Sequence, residues 1–565
     1  MPKIEVHQDL LESLLQESYT NEQLEDVLVV AKSELDDYDE KEKIYKIELN
    51  DTNRPDLWSV AGVARQLKTY RTEKINDYTF FSSKDKTQES GHRTLIVDES
   101  AKVVRPFSIG FAAKGVVVDE HILLTLIQSQ EKLCHNFGQK RKTIAIGVYR
   151  DDLIKYPVHF KGSDPDKTKF IPLGMKESLS LKEICEKHPK GKEYGHIVAD
   201  KPLYPLLFDE NGEVLSFPPV INSASLGAVE VGDENLFFEF SGTILDDLIL
   251  AANIMACDCA DMGYTILPVK CVFDFETPYG KEITVPYYFQ QEASCEVPFL
   301  QKMLGSDLSN EEIIASLKRM GIASKVENFT VKARVPEYRN DFLHPVDIVE
   351  DVMIGYGMGN FEPILPSDST VGRLTDEEVF GRKVKDIMIG LGFQEMMYNY
   401  LGSKREYIDN MNVDGSTYIQ IANPMSENYE FVRPSIIPSL LESESVSAHA
   451  VYPHSIFEVG KVAFLDETDN SGTTTRNNLG FLVASNEVGF NLINSQVATL
   501  LYFVNKEHQL KEVVDSRFIE GRCALIVVDN KVVGIFGEIH PAVLENWGIT
   551  MPSVACEIDL DLLLK

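Results

Sequence analysis

The chain is short of the residues that staple small secreted domains or anchor membrane proteins. Only 8 of its 565 residues are cysteine, at positions 134, 185, 257, 259, 271, 295, 523 and 556. None forms the Cys-x-x-Cys pair of a zinc site. Cys257 and Cys259 come nearest, and on a helix two side chains so spaced diverge. Scattered in this way, the cysteines predict reduced, buried thiols. No apolar run approaches the roughly 18 residues of a membrane span, and the opening residues Pro2 to Val6 lack the apolar core of a signal peptide. These absences predict a soluble, cytoplasmic protein with no membrane partner. Positive charge is also scarce, with 55 Lys and Arg against 88 Asp and Glu and a net charge of −33. That balance excludes a protein that grips nucleic acid over its whole surface. The shortage is uneven: Glu131 to Lys201 holds 15 basic against 10 acidic residues, leaving 40 against 78 elsewhere. This segment is the candidate RNA contact, and a solvated, loop-rich surface is the competing explanation.

The 44% apolar fraction is that of a globular protein, and the length calls for roughly three to five domains. An α+β multidomain protein is expected, with divisions at 1–85 and 92–272 from patterning and at 285–365 and 371–565 from the family resemblance described below. In the first, Leu10, Leu11, Leu14 and Leu15 predict a short helix, Thr20 to Gln23 a capping box, and Lys43 to Leu49 a strand. Asn53 is expected to cap a helix carrying Pro55, Asp56, Leu57, Val60, Ala61, Ala64 and Leu67. A polar linker from Phe81 to Arg93 precedes a mixed region with alternating segments at Leu95 to Val97 and Phe107 to Val118, a helix at Leu123 to Cys134 and a strand at Thr143 to Tyr149.

Within that region, Phe217-Pro218-Pro219 fixes a stiff extended turn without backbone donors, followed by Ser223. Glu239-Phe240-Ser241-Gly242-Thr243 ends a strand in a tight turn with hydroxyls near exposed amides. Together the two stretches suggest the lining of a small pocket, and a hairpin with a proline turn is the plainer alternative. No Ser-His-Asp or Cys-His spacing supplies a nucleophile.

Further on, Ser309 to Glu312 forms a capping box for a helix closed by Gly321, and Val331 to Pro336 alternates as a strand. Helix, strand and second helix make a small helix-turn-helix-like module. The second helix is predicted to start at Pro345 or Val346 and to stop at Gly355 or Gly357. Asp347, Glu350 and Asp351 stand on it at i, i+3 and i+4, with Asp341 six residues upstream. Like charges at that spacing repel. A hard divalent cation such as magnesium would relieve the repulsion; acids favouring the positive end of a helix would also account for them. Such acidity argues against DNA readout by this helix.

The stretch Tyr338 to Gly357, with its Arg-x-Asp followed by an Asp and a pair of acids, resembles the magnesium motif of the phenylalanyl-tRNA synthetase beta-subunit family, of the archaeal and eukaryotic-cytosolic type. Asp351 stands where bacterial relatives more often carry Glu. Asn53 to Leu57 is similar to another stretch of the same family, and the likeness runs through the chain in family order. The resemblance implies magnesium ligands or near neighbours at Asp341, Asp347, Glu350 and Asp351, in a B5-type module. It also implies an editing, tRNA-binding domain in which tyrosine wrongly joined to the phenylalanine tRNA is hydrolysed, at a pocket of Phe217, Pro218, Pro219, Ser223, Glu239, Ser241, Gly242 and Thr243. The family there usually has Asp-x-Thr-Gly-Thr. A carboxylate that accepts a phenolic hydroxyl favours tyrosine over phenylalanine, because the wrong ligand leaves it unpaired.

Residues 371–565 resemble the catalytic-like domain of these subunits, an antiparallel sheet with helices of the class II synthetase kind. It lacks a Gly-x-Gly-x-x-Arg, so adenylate chemistry is expected on a shorter alpha subunit in a two-plus-two heterotetramer, with ATP as the substrate of the assembled enzyme. Arg433 and Arg522 are read as structural or interface residues, and His540 as a satisfied turn histidine. Neither an oligonucleotide-binding insertion nor a C-terminal anticodon-binding domain is expected in this length. A freestanding hydrolase of mischarged tRNA and a non-editing structural subunit are the alternatives.

Overall fold

The computed structural model describes residues 2–82, 93–447 and 449–564, so most of the expected polar linker lies outside the described residues. The chain divides into two compact units, 1–364 and 365–565. Among the described residues no helix is long and apolar enough to cross a membrane.

The first unit opens with a three-stranded antiparallel sheet, Lys3–His7, Ile44–Leu49 and Ser33–Asp39, with Ile44–Leu49 in the middle. The helices Gln8–Leu15 and Asn21–Leu28 stand beside it, the second opened by the expected box of Thr20 and Gln23. One expectation fails here. Pro55–Leu57 is a separate short turn, and the helix Val60–Thr72 is capped by the Ser59 hydroxyl, which accepts from the Gly62 amide, instead of by Asn53. The reason is tertiary: Arg54 and Asp56 are buried as an ion pair with contacts of 2.7 and 2.8 Å, which holds the turn apart from the helix.

A ten-stranded mixed sheet follows. It continues past 272, because the strand Thr265–Thr277 pairs with the hairpin partner Gly280–Val285. Thr265–Thr277 runs parallel to Thr94–Val97 and antiparallel to Phe107–Lys114. Phe107–Lys114 pairs with Asn235–Gly242, which pairs with the edge strand Ile144–Arg150. Toward the opposite end come Tyr204–Phe208, Val214–Phe217 and Ile221–Asn222. Phe111, Phe160, Phe237, Phe238, Phe240 and Phe273 are fully buried in the sheet, and Phe111 stacks on Phe238 at 4.7 Å. The helix Leu245–Asp261, buried along most of its length, packs on the sheet and on Val60–Thr72. Seven of the eight cysteines are buried, all are free, and Cys185 is half-buried.

The acidic module is more than helix, strand and helix. Glu292–Glu296, Thr330–Arg334 and Ala323–Glu327 form a three-stranded antiparallel sheet with Thr330–Arg334 central. The helices Val297–Leu304, Asn310–Arg319 and Pro345–Tyr356 share its core through Leu300, Ile313, Leu317, Ile348 and Val352. Ser309 makes the expected capping box, and the last helix starts at Pro345 as its sequence predicts.

The second unit is a seven-stranded sheet, ordered Gln394–Glu395, His454–Leu465, Thr473–Ala484, Ser553–Asp559, Lys531–Ile539, Phe518–Val528 and Gln509–Glu512. All pairs are antiparallel except Gln394–Glu395 with His454–Leu465. The hairpin turn falls at Asp529 and Asn530, both with positive φ, one residue earlier than expected. Two-residue hairpin turns favour that left-handed pair because it matches the strand twist.

Candidate active site

The two ends of the ten-stranded sheet close on one another. Edge strand Ile144–Arg150 and strand Val214–Phe217 lie at opposite ends of the strand order, yet the Tyr149 hydroxyl donates to Ser216 Oγ at 2.8 Å. At this closure a cavity of about 300 Å³ is lined by Tyr149, Gly147, Ser216, the Phe217–Val220 turn, Arg141 and Glu239. Leu123, Leu126 and Ile127 of the helix Glu120–Lys132 supply apolar wall. Arg141 fixes the proline turn by donating to the carbonyls of Pro219 and Val220 at 3.1 and 3.3 Å.

Glu239 is the polar group at the base. It is 1% exposed, and its partners across the sheet are Gly110 on one side and Gly147 on the other. The missing side chain at Gly147 opens the space: a Cβ there would stand 2.0 Å from the Tyr149 hydroxyl. Ser108 donates to Glu239 Oε1 at 2.7 Å. Burial pushes the Glu239 carboxyl up to about 7, against the Ser108 hydrogen bond, the Arg105 charge and Ser241. A carboxyl so poised is half-ionised near neutral pH and accepts a hydroxyl proton more strongly as it ionises.

Of the eight expected pocket residues, Phe217, Pro218, Pro219 and Glu239 line the cavity, and Ser223, Ser241, Gly242 and Thr243 do not. Ser223 is turned into its own loop, where its hydroxyl accepts from the Leu226 amide. Ser241 is fully buried and its carbonyl accepts from Arg105. Gly242 packs where a Cβ would meet the Thr143 carbonyl at 2.0 Å. Thr243 faces a different cleft. Strand geometry explains the last: the four residues from Glu239 to Thr243 carry the chain ~13 Å, beyond one small cavity.

The four carboxylates expected to ligate magnesium are each engaged by groups of the chain, Asp341 and Asp351 by one guanidinium and the other two apart. Asp341 makes a two-pronged pair with Arg339 at 2.9 and 2.6 Å. Asp351 meets the same guanidinium at 2.8 Å. Asp347 accepts from the amides of Leu343 and His344, both at 2.7 Å, closing the helix start. Glu350 pairs with Lys32 at 2.8 Å, which also holds Asp51 at 2.6 Å. Among the described residues no group of three or more acidic, His or Cys side chains is arranged to hold a metal ion. The set therefore does not fit a shared cation within this chain. Arg339 and Lys32 relieve the repulsion that the sequence pattern raised. Burial works against the Asp341 charge, but Arg339 and then Arg54 hold its carboxyl down at about 2. Burial raises Asp351 despite the same arginines.

Comparison with known proteins then gives the family. Residues 1–73 match the model for the Phe-tRNA synthetase beta subunit B1 domain, 294–358 the tRNA synthetase B5 domain, and 362–560 the phenylalanyl tRNA synthetase beta chain CLM domain. The phenylalanine–tRNA ligase beta subunits of Borreliella burgdorferi strain ZS7 and Borrelia turicatae strain 91E135 are each 47% identical over 568 residues, covering all of both chains. The chain belongs to the phenylalanine–tRNA ligase beta-subunit family. A solved N-terminal fragment of the phenylalanyl-tRNA synthetase beta subunit from Pyrococcus horikoshii is also similar, with a TM-score of 0.59 and 38% identity over 63% of this chain and all of the fragment.

In this beta subunit Arg433, Arg522 and His540 each have a partner within the second unit. Arg433 is buried on Glu458 at 2.6 Å and donates to the Lys461 carbonyl at 3.0 Å. Arg522 pairs with Glu538 at 2.8 Å. His540 caps the helix Pro541–Trp547 by accepting from the Ala542 amide. Sequence reasoning missed Tyr149, Ser216, Ser108 and Arg141. Tyr149 and Ser216 meet through sheet closure, Ser108 reaches Glu239 across paired strands, and Arg141 comes from the turn before Ile144–Arg150; none of these meetings leaves a local spacing to read.

Proposed function

We propose that this beta subunit works with an alpha partner as a two-plus-two heterotetramer of the archaeal and eukaryotic-cytosolic type, acting in the cytoplasm. The Pyrococcus likeness supports that type in the first unit. The protein functions as the beta subunit of phenylalanine–tRNA ligase. The assembled enzyme joins phenylalanine to its tRNA with ATP, and adenylate formation, with the magnesium that accompanies ATP, belongs to alpha. The second unit supports that division of labour, since Arg433 and Arg522 are held by carboxylates of the chain itself.

The cavity is the editing site. Its carrying observation is Glu239, buried with Ser108 beside it and lining a cavity of about 300 Å³, large enough to admit an aromatic side chain. The tyrosyl phenol donates to Glu239. A phenylalanyl ring would leave that carboxylate buried without its partner. Water attacks the ester carbonyl, and the carbon–oxygen bond to the terminal ribose breaks, giving tyrosine and free tRNA. The chain supplies orientation and water exclusion.

Co-expression with a cognate alpha subunit, mass measurement and two assays test this. Glu239→Ala is expected to slow tyrosyl-tRNA hydrolysis roughly 10–100-fold, the loss of a hydrogen bond to a charged group, and to spare phenylalanylation. Lost charging with intact hydrolysis would overturn the reading. A stable, active monomer would favour a freestanding hydrolase, and unchanged hydrolysis a structural subunit.

A further inference from the structure

The wall beside the cavity contains an unusual turn. Gln139, Lys140 and Arg141 are three consecutive non-glycine residues with φ of 49, 56 and 68°. Side chains disfavour this left-handed region, and runs of it persist only where surrounding structure enforces them. Here the Lys140 amide donates to the His135 carbonyl at 2.9 Å and the Arg141 amide to the Cys134 carbonyl at 2.8 Å. The turn sends neighbouring cations to two places. Arg141 lines the cavity and lies 4.3 Å over the Tyr194 ring. Lys140 and Lys142 line a second cleft of about 990 Å³.

That cleft is basic in a chain of net charge −33. Lys102, Arg105, Lys201, His135 and His196 also line it, against two acids, Glu193 and Asp200. Glu193 is paired with Lys190 at 3.0 Å, Asp200 with Lys201 at 3.2 Å, and Lys102 with Glu99 at 3.1 Å, which leaves Lys140, Lys142 and Arg105 as the cations of the cleft without a carboxylate partner among the described residues. Lys140 and Lys142 are exposed and, among the described residues, take part in no ion pair. Arg105 is 2% exposed and donates to the carbonyls of Lys142 and Ser241, without a carboxylate at ion-pair distance among the described residues. Burial lowers its guanidinium to about 10, so it is still charged at neutral pH. Thr243, in the cleft, and Glu239, in the cavity, stand four residues apart at the end of one strand.

We propose that this cleft binds the phosphates of the single-stranded 3′ end of the tRNA, with Lys140 and Lys142 as phosphate contacts, while Arg141 on the same turn holds the wall around the aminoacyl group. The proposal rests on the editing reading and gives that site its route of entry. A polyanion is repelled by most of this surface and attracted where cations are concentrated. A flexible single strand can follow a cleft that a duplex cannot enter.

The test uses the complex with its alpha subunit carrying Lys140→Glu and Lys142→Glu together, with Lys140→Gln and Lys142→Gln as the milder pair. Tyrosyl-tRNA hydrolysis is expected to need at least tenfold more enzyme for half-saturation in the Glu pair and less extra in the Gln pair, with the saturated rate within twofold of wild type. The affinity of a fluorescent single-stranded RNA ending in the tRNA 3′ sequence should fall in parallel. Its dependence on log salt should flatten by about 1.4, at ~0.7 per phosphate contact. Unchanged affinity in the Glu pair, or a lost saturated rate at unchanged affinity, would overturn the proposal. If wild type binds the RNA in this charge-dependent way yet hydrolyses no tyrosyl-tRNA, the cleft stands and the editing reading falls. If wild type hydrolyses tyrosyl-tRNA with no contribution from these lysines, the reverse holds.

Discussion

Glu239 carries the selectivity of the proposed editing site, and its titration follows from its surroundings. The unfolded chain loses this proton near the ordinary value of 4.5, while burial holds it in the folded chain to about 7. Between those values the folded state binds more protons, so stability contributed by this group falls as pH rises and levels off above 7. The span is on the order of 3 kcal/mol at 1.36 kcal/mol per unit. Replacing Glu239 with Gln should remove that slope. Hydrogen exchange of the Asn235–Gly242 amides, compared between variant and wild type from pH 5 to 8, measures it; parallel profiles would count against a buried, proton-holding Glu239. The preference for tyrosyl- over phenylalanyl-tRNA hydrolysis should rise with pH through about 7, as the acceptor ionises. A preference that is flat between pH 6 and 8 would point to another recognising group.

At the level of elements, the start of the helix Pro345–Tyr356 is organised by a guanidinium. Arg339 is 3% exposed and lies between Asp341 and Asp351, with Arg54 and Asp56 paired nearby. Removing one partner from a buried charge cluster strands the others. Arg339→Met is therefore expected to destabilise the first unit by roughly 3–5 kcal/mol, read as a lower urea midpoint. Because Arg339 and Lys32 already neutralise these carboxylates, chelating divalent ions should leave the thermal midpoint of the isolated chain unchanged. A fall on chelation that magnesium restores would show that a cation displaces these side chains.

On the scale of the whole molecule, the division after Ile364 coincides with residues 362–375, which are exposed and belong to no helix or strand. Irregular, exposed backbone is where proteases cut first. Trypsin should nick the isolated chain at Arg373 and leave two fragments that stay folded, checked by mass and circular dichroism; general degradation without a 373-residue fragment would contradict the two-unit division.

The sequence by itself determined the local elements: the Thr20 and Ser309 capping boxes, the helix that opens at Pro345 and the stiff turn at the proline pair. Caps, helical periodicity and proline geometry act within a few residues and are written in spacing. Tertiary structure decided which groups meet. The ends of a ten-stranded sheet bring Tyr149 to Ser216, Gly147 on the neighbouring strand makes room beside Glu239, and Arg339 and Lys32 take Asp341, Asp351 and Glu350. Those meetings depend on sheet closure and on which opposite charge comes nearest in space, and neither leaves a periodic mark in the chain.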